Sequence, residues 1–428
     1  MAFSTYADTL HYLYAQLPMF TRVGASAYKK DLHNTLALCK ALNNPEHRFK
    51  SVHIGGTNGK GSSSHMLAAI LQTAGYKTGL YTSPHLLDFR ERIRINGQMI
   101  PEQEVVNFVN SHQALFEEID PSFFEATVGL AFDYFAKQEV DIAIIEVGLG
   151  GRLDSTNVIS PLLSLITNIG LDHQDILGST LREIAGEKAG IIKTRTPIII
   201  GEKQAEIADV FENKAKEANA KILYASACWT LTPKETAPLL VVNAQSTEQN
   251  IELALDLRGS YQVKNLPGVL SAVVELNTQG FKITEQHLKN ALKQVSSLTG
   301  LQGRWQTLQQ QPLVICDTGH NEDGVKEVLK NIANTPHQNL HMVWGMVKDK
   351  DITKILALLP KEASYYFCQP NIPRGNPTEE LAQEAQKYQL NGQAYASVAK
   401  AYQQALSHAK PNDLVFVGGS TFVVAEVL

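Results

Sequence analysis

The sequence predicts an α/β protein built on a mostly parallel sheet of the phosphate-loop type, followed by a second, smaller α/β sheet. Three observations predict it. A glycine-rich loop closing on a lysine, His53-Ile54-Gly55-Gly56-Thr57-Asn58-Gly59-Lys60-Gly61-Ser62, lies between an apolar segment (Phe49 to Ile54) and a helix-like run (Ser63 to Ala74). Apolar runs at 142–147, 162–167 and 197–200 are too continuous for strands with one wet face, and so belong to a sheet covered on both sides. Strand and helix patterns then alternate a second time beyond Gly303.

Residues 1–50 read as helices, with Leu32, Leu36, Cys39 and Leu42 recurring at helical spacing. Helical patterns at 125–137 and 181–192 separate the strands of the first sheet. The Ser/Thr/Gly-rich stretch Val295 to Gly303 reads as a linker. Strands beyond it are expected at 313–316, 341–344, 365–368 and 414–417. Ligands of open parallel sheets sit past the C-terminal ends of the strands, so chemistry is sought in the loops there.

Composition sets bounds. With 428 residues, 44% hydrophobic and 19% charged, the chain suits two or three domains with ordinary cores. A formal charge of -5 argues against a nucleic-acid-binding surface. No apolar run approaches the ~20 residues that span a bilayer, and Met1 to Asp8 lacks a basic-then-apolar leader. A cytoplasmic protein is expected. Cys39, Cys228, Cys316 and Cys368 lack metal-ligand spacing and read as reduced core thiols.

The glycine loop aims backbone N–H groups and a helix dipole at one point, and Lys60 adds a full positive charge. Its spacing departs from the common G-x-x-x-x-G-K-[ST], because Ile54 stands at the first glycine position and Gly61 separates Lys60 from Ser62. Glu146, ending the run from Ile142, is well placed for Mg2+, with a capping or salt-bridging glutamate as the lesser alternative. Asp172-His173 follows a third strand to the same edge, where an isolated histidine is more often a satisfied loop residue. Glu187-Lys188 places a charge pair in an apolar helix; the simplest reading is a salt-bridged lysine, the bolder one a desolvated amine that adds CO2 as a carbamate. Ser83-Pro84-His85 ends another apolar run, and Asp88 to Arg94 is densely charged, suiting either a loop over an anionic substrate or a solvated face. Asp317 to Asn321 and Gly345 to Asp351 are strand-end loops of the second sheet.

Together these motifs resemble the Mur ligase superfamily and, within it, the folylpolyglutamate synthase/dihydrofolate synthase family, over nearly the whole chain. The carriers are Gly56-Thr-Asn-Gly-Lys-Gly-Ser62, Ser83-Pro-His-Leu86, Glu146 to Asp154, Leu171-Asp-His173 with Leu177-Gly178, and Glu187 to Lys193. In the second sheet Gly303-Arg304-Trp305-Gln306, Asp317 to Asn321 and Gly418-Gly-Ser420 match. Thr318-Gly319 departs from the family's small residue followed by alanine, while Asp317 and His320 are retained.

The resemblance implies an ATP-binding central domain over 1–297 and a Rossmann-like glutamate ligase domain over 298–428. It implies that Thr57, Asn58, Gly59, Lys60, Gly61 and Ser62 hold ATP phosphates, and that Asn265, Arg304, Asp317 and His320 meet the nucleotide. Ser83, Glu146 and His173 are implied as Mg2+ ligands, Lys188 as a carbamylated lysine, and Phe124 and Asp154 as neighbours of the pterin. The stretch Thr21 to Asp31 matches too loosely to transfer residues. Lys60, His173 and carbamylated Lys188 form the implied catalytic set.

The implied activity is ATP-dependent ligation of L-glutamate to a folate-type carboxylate through an acyl phosphate, by a monomer acting on small molecules. Phe124 and Asp154 lean towards both dihydrofolate and polyglutamate synthesis; one activity alone is the alternative. A peptidoglycan-precursor ligase fits less well, since only about fifty residues precede the loop, below the usual domain size. A non-catalytic ATP-binding scaffold conflicts with the retention of Lys60, Glu146, His173 and Lys188.

Overall fold

A computed structural model describes residues 3–19, 29, 31–235, 238–348 and 352–428. Thr21 to Tyr28 and Lys30 of the N-terminal stretch lie outside the described residues, as do Asp349, Lys350 and Asp351 of the strand-end loop at Gly345. Contacts divide the chain into two units, Met1–Asp256 with Gln262–Leu301 and Leu257–Tyr261 with Gln302–Leu428.

The first unit is built on eight strands: β1 Ser51–Gly55, β2 Thr78–Tyr81, β3 Ile93–Ile95, β4 Gln98–Met99, β5 Ile142–Glu146, β6 Leu163–Ile166, β7 Ile198–Ile200 and β8 Ile222–Tyr224. Their order is β4-β3-β2-β5-β1-β6-β7-β8. Strands β2, β5, β1, β6, β7 and β8 run parallel, while β3 and β4 add an antiparallel edge. Every residue of β1, β5 and β6 is buried, as continuous apolar runs in a doubly covered sheet require. One apolar cluster gathers Tyr81, Phe132, Phe135 and Ile145, and another gathers Ile166, Ile184, Ile198 and Phe211.

Strand β1 lies between β5 and β6, with Ile54 level with Glu146 and Gly55 level with Ile166. The chain goes from β1 to β2 on one side and later steps over β1 from β5 to β6. Loops leaving the C-terminal ends of β1, β5 and β6 therefore meet at a topological switch point. The helix after β1 spans Lys60–Thr73, three residues earlier than the apolar pattern suggests, because Gly59 (φ 83°) turns the chain sharply into it.

Two features are not apparent from the apolar runs. A three-stranded antiparallel sheet, β9 Thr230–Glu235, β10 Leu240–Gln245 and β11 Asn250–Leu255, has the order β11-β10-β9. Its alternating burial is a period-two signal, weaker than a continuous apolar run. The expected linker also contains a helix, Val295–Thr299. The Asp256 carboxylate accepts the Val295 and Ser296 N–H groups (3.1 and 2.8 Å), and Thr299 Oγ1 meets His65 Nδ1 at 2.8 Å, tying Ser/Thr-rich chain into the unit.

The second unit carries β12 Gln306–Gln310, β13 Leu313–Cys316, β14 Leu340–Trp344, β15 Ser364–Cys368, β16 Gly392–Tyr395 and β17 Leu414–Gly418, in the order β12-β13-β17-β14-β15-β16. All are parallel except β12, which pairs antiparallel with β13. Leu257–Tyr261 joins this unit through hydrogen bonds of Ser260 N to Asn331 Oδ1 (2.9 Å) and of Tyr261 to Asp317 (2.5 Å). Cys39, Cys316 and Cys368 are buried as expected, but Cys228 is exposed and free. Among the described residues no helix is long and apolar enough to cross a membrane.

Phe416, fully buried on β17, packs between Trp305 and Trp344, with ring centroids 6.0 and 6.3 Å away. Phe416→Ala should destabilise the second unit by about 3–5 kcal/mol. Urea unfolding followed by tryptophan emission tests this, and an unchanged midpoint would contradict the packing described.

Candidate active site

Local chemistry shapes the glycine loop first. Gly56 has φ 136° and Gly59 φ 83°, a region closed to most side chains. A Cβ on Gly56 would lie 1.9 Å from Thr167 Oγ1, and one on Gly59 2.1 Å from Asn265 Oδ1. Both glycines are thus demanded by backbone shape and by close neighbours.

The loop is gripped from two sides. On one, Lys60 Nζ donates to the carbonyls of Gly56 and Thr57, each at 3.1 Å, and Lys188 Nζ donates to Gly56 at 2.9 Å. On the other, the Thr57 and Asn58 N–H groups donate to Asn168 O and Oδ1, both at 2.9 Å. Thr167 Oγ1 donates to Asn58 O at 2.6 Å. The Thr57 hydroxyl accepts from Gly170 N (3.0 Å) and donates to Gly170 O (3.2 Å).

Lys188 is 4% exposed. Burial, reinforced by the charge of Lys60, brings its pKa down from 10.5 to about 7, against the opposing pull of Asp172 and Asp154. The expected salt bridge to a neighbouring carboxylate is replaced: Glu187 pairs instead with Arg152 (2.8 Å), and Lys188 turns its amine to the loop. A buried amine that can be neutral near pH 7 has the lone pair carbamylation needs.

Glu146 ends β5 and is 4% exposed, and Ser83 N points at its Oε2 from 3.4 Å. His173 stands in the loop after β6 with φ 50°, its N–H on Asp172 Oδ1 (2.8 Å) and its Nε2 3.9 Å from the same oxygen. A carboxylate and a hydroxyl are hard oxygen donors suited to Mg2+, whereas an imidazole is a softer donor. Among the described residues no cluster of three His, Cys, Asp or Glu side chains forms a metal cage. Mg2+ in general keeps several waters and borrows substrate oxygens, so it seldom takes a dedicated all-protein cage.

Phe124 packs against the loop after β5, where a Cβ on Gly148 would lie 2.3 Å from its Cζ, and its ring is 6.2 Å from Tyr81. Asp154 is buried and accepts from Leu149 N (2.8 Å) and Thr156 N (3.0 Å), so its carboxylate holds the turn together. Burial raises its pKa despite these bonds. Asn265 donates to Gln262 Oε1 (2.8 Å), and Gln262 donates to Ser62 Oγ (3.1 Å), linking the helix Gln262–Thr278 to the loop's last residue.

The charged segment from Asp88 to Arg94 is neither an open loop nor a solvated face. Asp88 caps a short 3-10 helix, Phe89–Arg92, and Glu91 accepts the N–H groups of Leu86, Leu87 and Asp88, all at 2.8 Å. Arg92 and Arg94 are buried, and Arg92 Nε donates to His85 Nδ1 at 2.7 Å. Burial and that guanidinium push the His85 pKa to about 3, so His85 is neutral. The charges are absorbed by local capping that residue spacing alone did not reveal.

In the second unit Asp317 accepts from Tyr261 Oη (2.5 Å), Trp305 N (2.7 Å) and Gly319 N (2.8 Å), and burial raises its pKa. Arg304 bonds to Thr318 Oγ1 and to Gly303 O (3.2 Å), while His320 Nδ1 meets Thr318 O at 3.0 Å. These residues share one strand-end loop system. Thr167, Asn168 and Gln262 join the site without standing out in sequence, where their two signals are a polar pair ending an apolar run and a glutamine three before Asn265.

Residues 54–273 match the Mur ligase middle domain, and 303–421 match the Mur ligase, glutamate ligase domain. The chain belongs to the Mur ligase family. A dihydrofolate synthase/folylpolyglutamate synthase from Bacillus subtilis is 30% identical over 99% of both chains, which places the protein in that branch of the family. A probable bifunctional folylpolyglutamate synthase/dihydropteroate synthase from Haloferax volcanii is 31% identical over 91% of the chain, which spans only 47% of that longer relative. The structure of E. coli FolC in complex with DHPP and ADP superposes with a TM-score of 0.87 at 29% identity, covering 99% of this chain and 97% of that one. A bifunctional folylpolyglutamate synthase/dihydrofolate synthase with Mn, AMPPNP and L-glutamate bound gives a TM-score of 0.84 at 29% identity, covering 99% of this chain and 97% of that one. The expected Mur ligase fold, a mostly parallel N-terminal sheet followed by a smaller α/β unit, is the one observed.

Lys188 also makes a thermodynamic prediction. The folded chain sheds its proton near pH 7 and the unfolded chain keeps it to about 10.5. Between those values the unfolded state binds more protons, so stability rises with pH. In metal-free, CO2-free buffer, Lys188→Met should flatten that rise, its stability relative to wild type being greatest below pH 7. Urea midpoints across the window decide, and parallel profiles would refute the assignment.

Proposed function

We propose that this protein joins L-glutamate to a folate-type carboxylate using ATP, through an acyl phosphate, with dihydropteroate and reduced folates as acceptors. The observation that carries the reading is the full-length structural correspondence with a relative that holds DHPP and ADP. The placement of Lys60 supports it, because its amine, on the Gly56 and Thr57 carbonyls, brings a positive charge beside the loop that would take the phosphates.

A carboxylate resists attack because a second negative charge would build on the same group. Phosphoryl transfer removes that obstacle. The acceptor carboxylate oxygen attacks the γ-phosphorus of ATP, and the bond to ADP breaks. The glutamate amine then adds to the acyl carbon, phosphate leaves, and the nitrogen loses a proton to give the amide. Lys60, on the helix that starts at the loop, would neutralise charge on the transferring phosphoryl group. Mg2+, held by Ser83, Glu146 and His173, would supply further charge neutralisation at the phosphates, with carbamylated Lys188 in the catalytic set beside it.

Residues Thr57 to Ser62 and Asn265 are assigned to ATP, as are Arg304, Asp317 and His320 of the second unit, on the family resemblance. Phe124 lends an apolar wall suited to a flat heterocycle, while Asp154 keeps the turn after β5 in shape. Activity on only one of the two acceptors is the competing reading. A cytoplasmic monomer and a division near residue 297 complete the proposal.

Lys60→Ala should lower phosphate release with dihydropteroate, glutamate and ATP by about 10²–10³-fold or more. Near-normal turnover would sink the assignment. Running tetrahydrofolate beside dihydropteroate separates one activity from two. Chelation of divalent metal should abolish turnover and added Mg2+ or Mn2+ restore it, so activity persisting in chelator would contradict the metal's role.

A further inference from the structure

Asn168 spends its main-chain and side-chain oxygens on two successive amides of the phosphate loop, Thr57 and Asn58, both at 2.9 Å. In loops of this general kind, such amides are the ones aimed at phosphates. Here they are already taken. The neighbours of Asn168 make the grip reciprocal: Thr167 Oγ1 donates to the Asn58 carbonyl at 2.6 Å, and Gly170 N donates to the Thr57 hydroxyl at 3.0 Å. Thr167 is also the group that leaves Gly56 no room for a side chain. Beyond Thr57 and Asn58 come Gly59 and the first helical turn, whose amides have no carbonyl partner within the helix.

We propose that Asn168, backed by the Thr167 hydroxyl, is a positioning residue for the nucleotide: it holds the Thr57 and Asn58 amides away from the ligand, so that, of the loop residues assigned to ATP above, Gly59 to Ser62 receive the phosphates. The proposal rests on the ATP-dependent reading above. Because Asn168 turns the amides of Thr57 and Asn58 one way, the carbonyls of Gly56 and Thr57 face Lys60 and Lys188. The same segment continues through Gly170 to Asp172 and His173, so the phosphate loop and the loop bearing His173 are set by one set of hydrogen bonds.

The test is the dissociation constant for ADP, measured by calorimetry on the full chain without acceptor, together with KM for ATP and for glutamate. Asn168→Ala should weaken ADP at least about tenfold, or about 1.4 kcal/mol, and raise KM for ATP alongside, while KM for glutamate stays within about twofold. Thr167→Val should move the same way and Thr167→Ser recover most of the loss. If Asn168→Ala does not fold, the Thr167 pair decides. ADP affinity within about twofold of wild type in the folded variants overturns the proposal, as does a joint rise in KM for ATP and glutamate, which marks general loosening. A wild type that binds ADP but releases no phosphate with either acceptor defeats the folate reading and leaves the ADP comparison standing. A wild type that does not bind ADP defeats both.

Discussion

Three consecutive peptide groups, Gly56 to Asn58, are the constraint on which the first unit's chemistry depends. Their carbonyls are taken by Lys60, Lys188 and Thr167, and two of their amides by Asn168. A chain held on both sides in this way has few conformations left to lose when a ligand arrives, which is the physical meaning of preorganisation. The arrangement depends on β1 lying beside β6, so that residues 167–170 and Lys188, both more than 100 residues away in sequence, reach the same few atoms.

The electrostatics follow from that geometry. Burial first, and the charge of Lys60 on the same carbonyl second, bring the Lys188 pKa down to about 7, while Glu187, its neighbour in sequence, is drawn off by Arg152. Elsewhere charge is neutralised by short-range capping, as around Asp88 and Glu91, or consumed by a hydrogen-bonded turn, as at Asp154 and Asp317. Asp88, Glu91, Asp154 and Asp317 are thus occupied by local partners, while the amines of Lys60 and Lys188 gather at the Gly56 carbonyl.

Much of the fold was legible because buried parallel strands announce themselves as unbroken apolar runs. Leu313–Cys316 has the bounds expected, and β5 and β15 differ from expectation by one residue. Alternating strands speak more softly, which is why β9 to β11 went unread, and Val295–Thr299 looked like a linker because its anchor, Asp256, lies far away in sequence. In the site, Gly56, Gly59 and Lys60 stand out by residue type. Asn168 does not, since its role comes from a contact 110 residues away.

By itself the sequence determined the class of fold, the phosphate loop with its inserted Gly61, and the family to which the chain belongs, because periodicity and contiguous motifs are local properties of a chain. Tertiary structure alone decided which partner each charged or polar group takes. Lys188 faces Gly56 and not Glu187, Arg92 turns inward to His85, and Asn168 claims the amides of Thr57 and Asn58. Such choices are made by burial and by three-dimensional proximity across the sheet, where a few ångströms outweigh any separation along the chain.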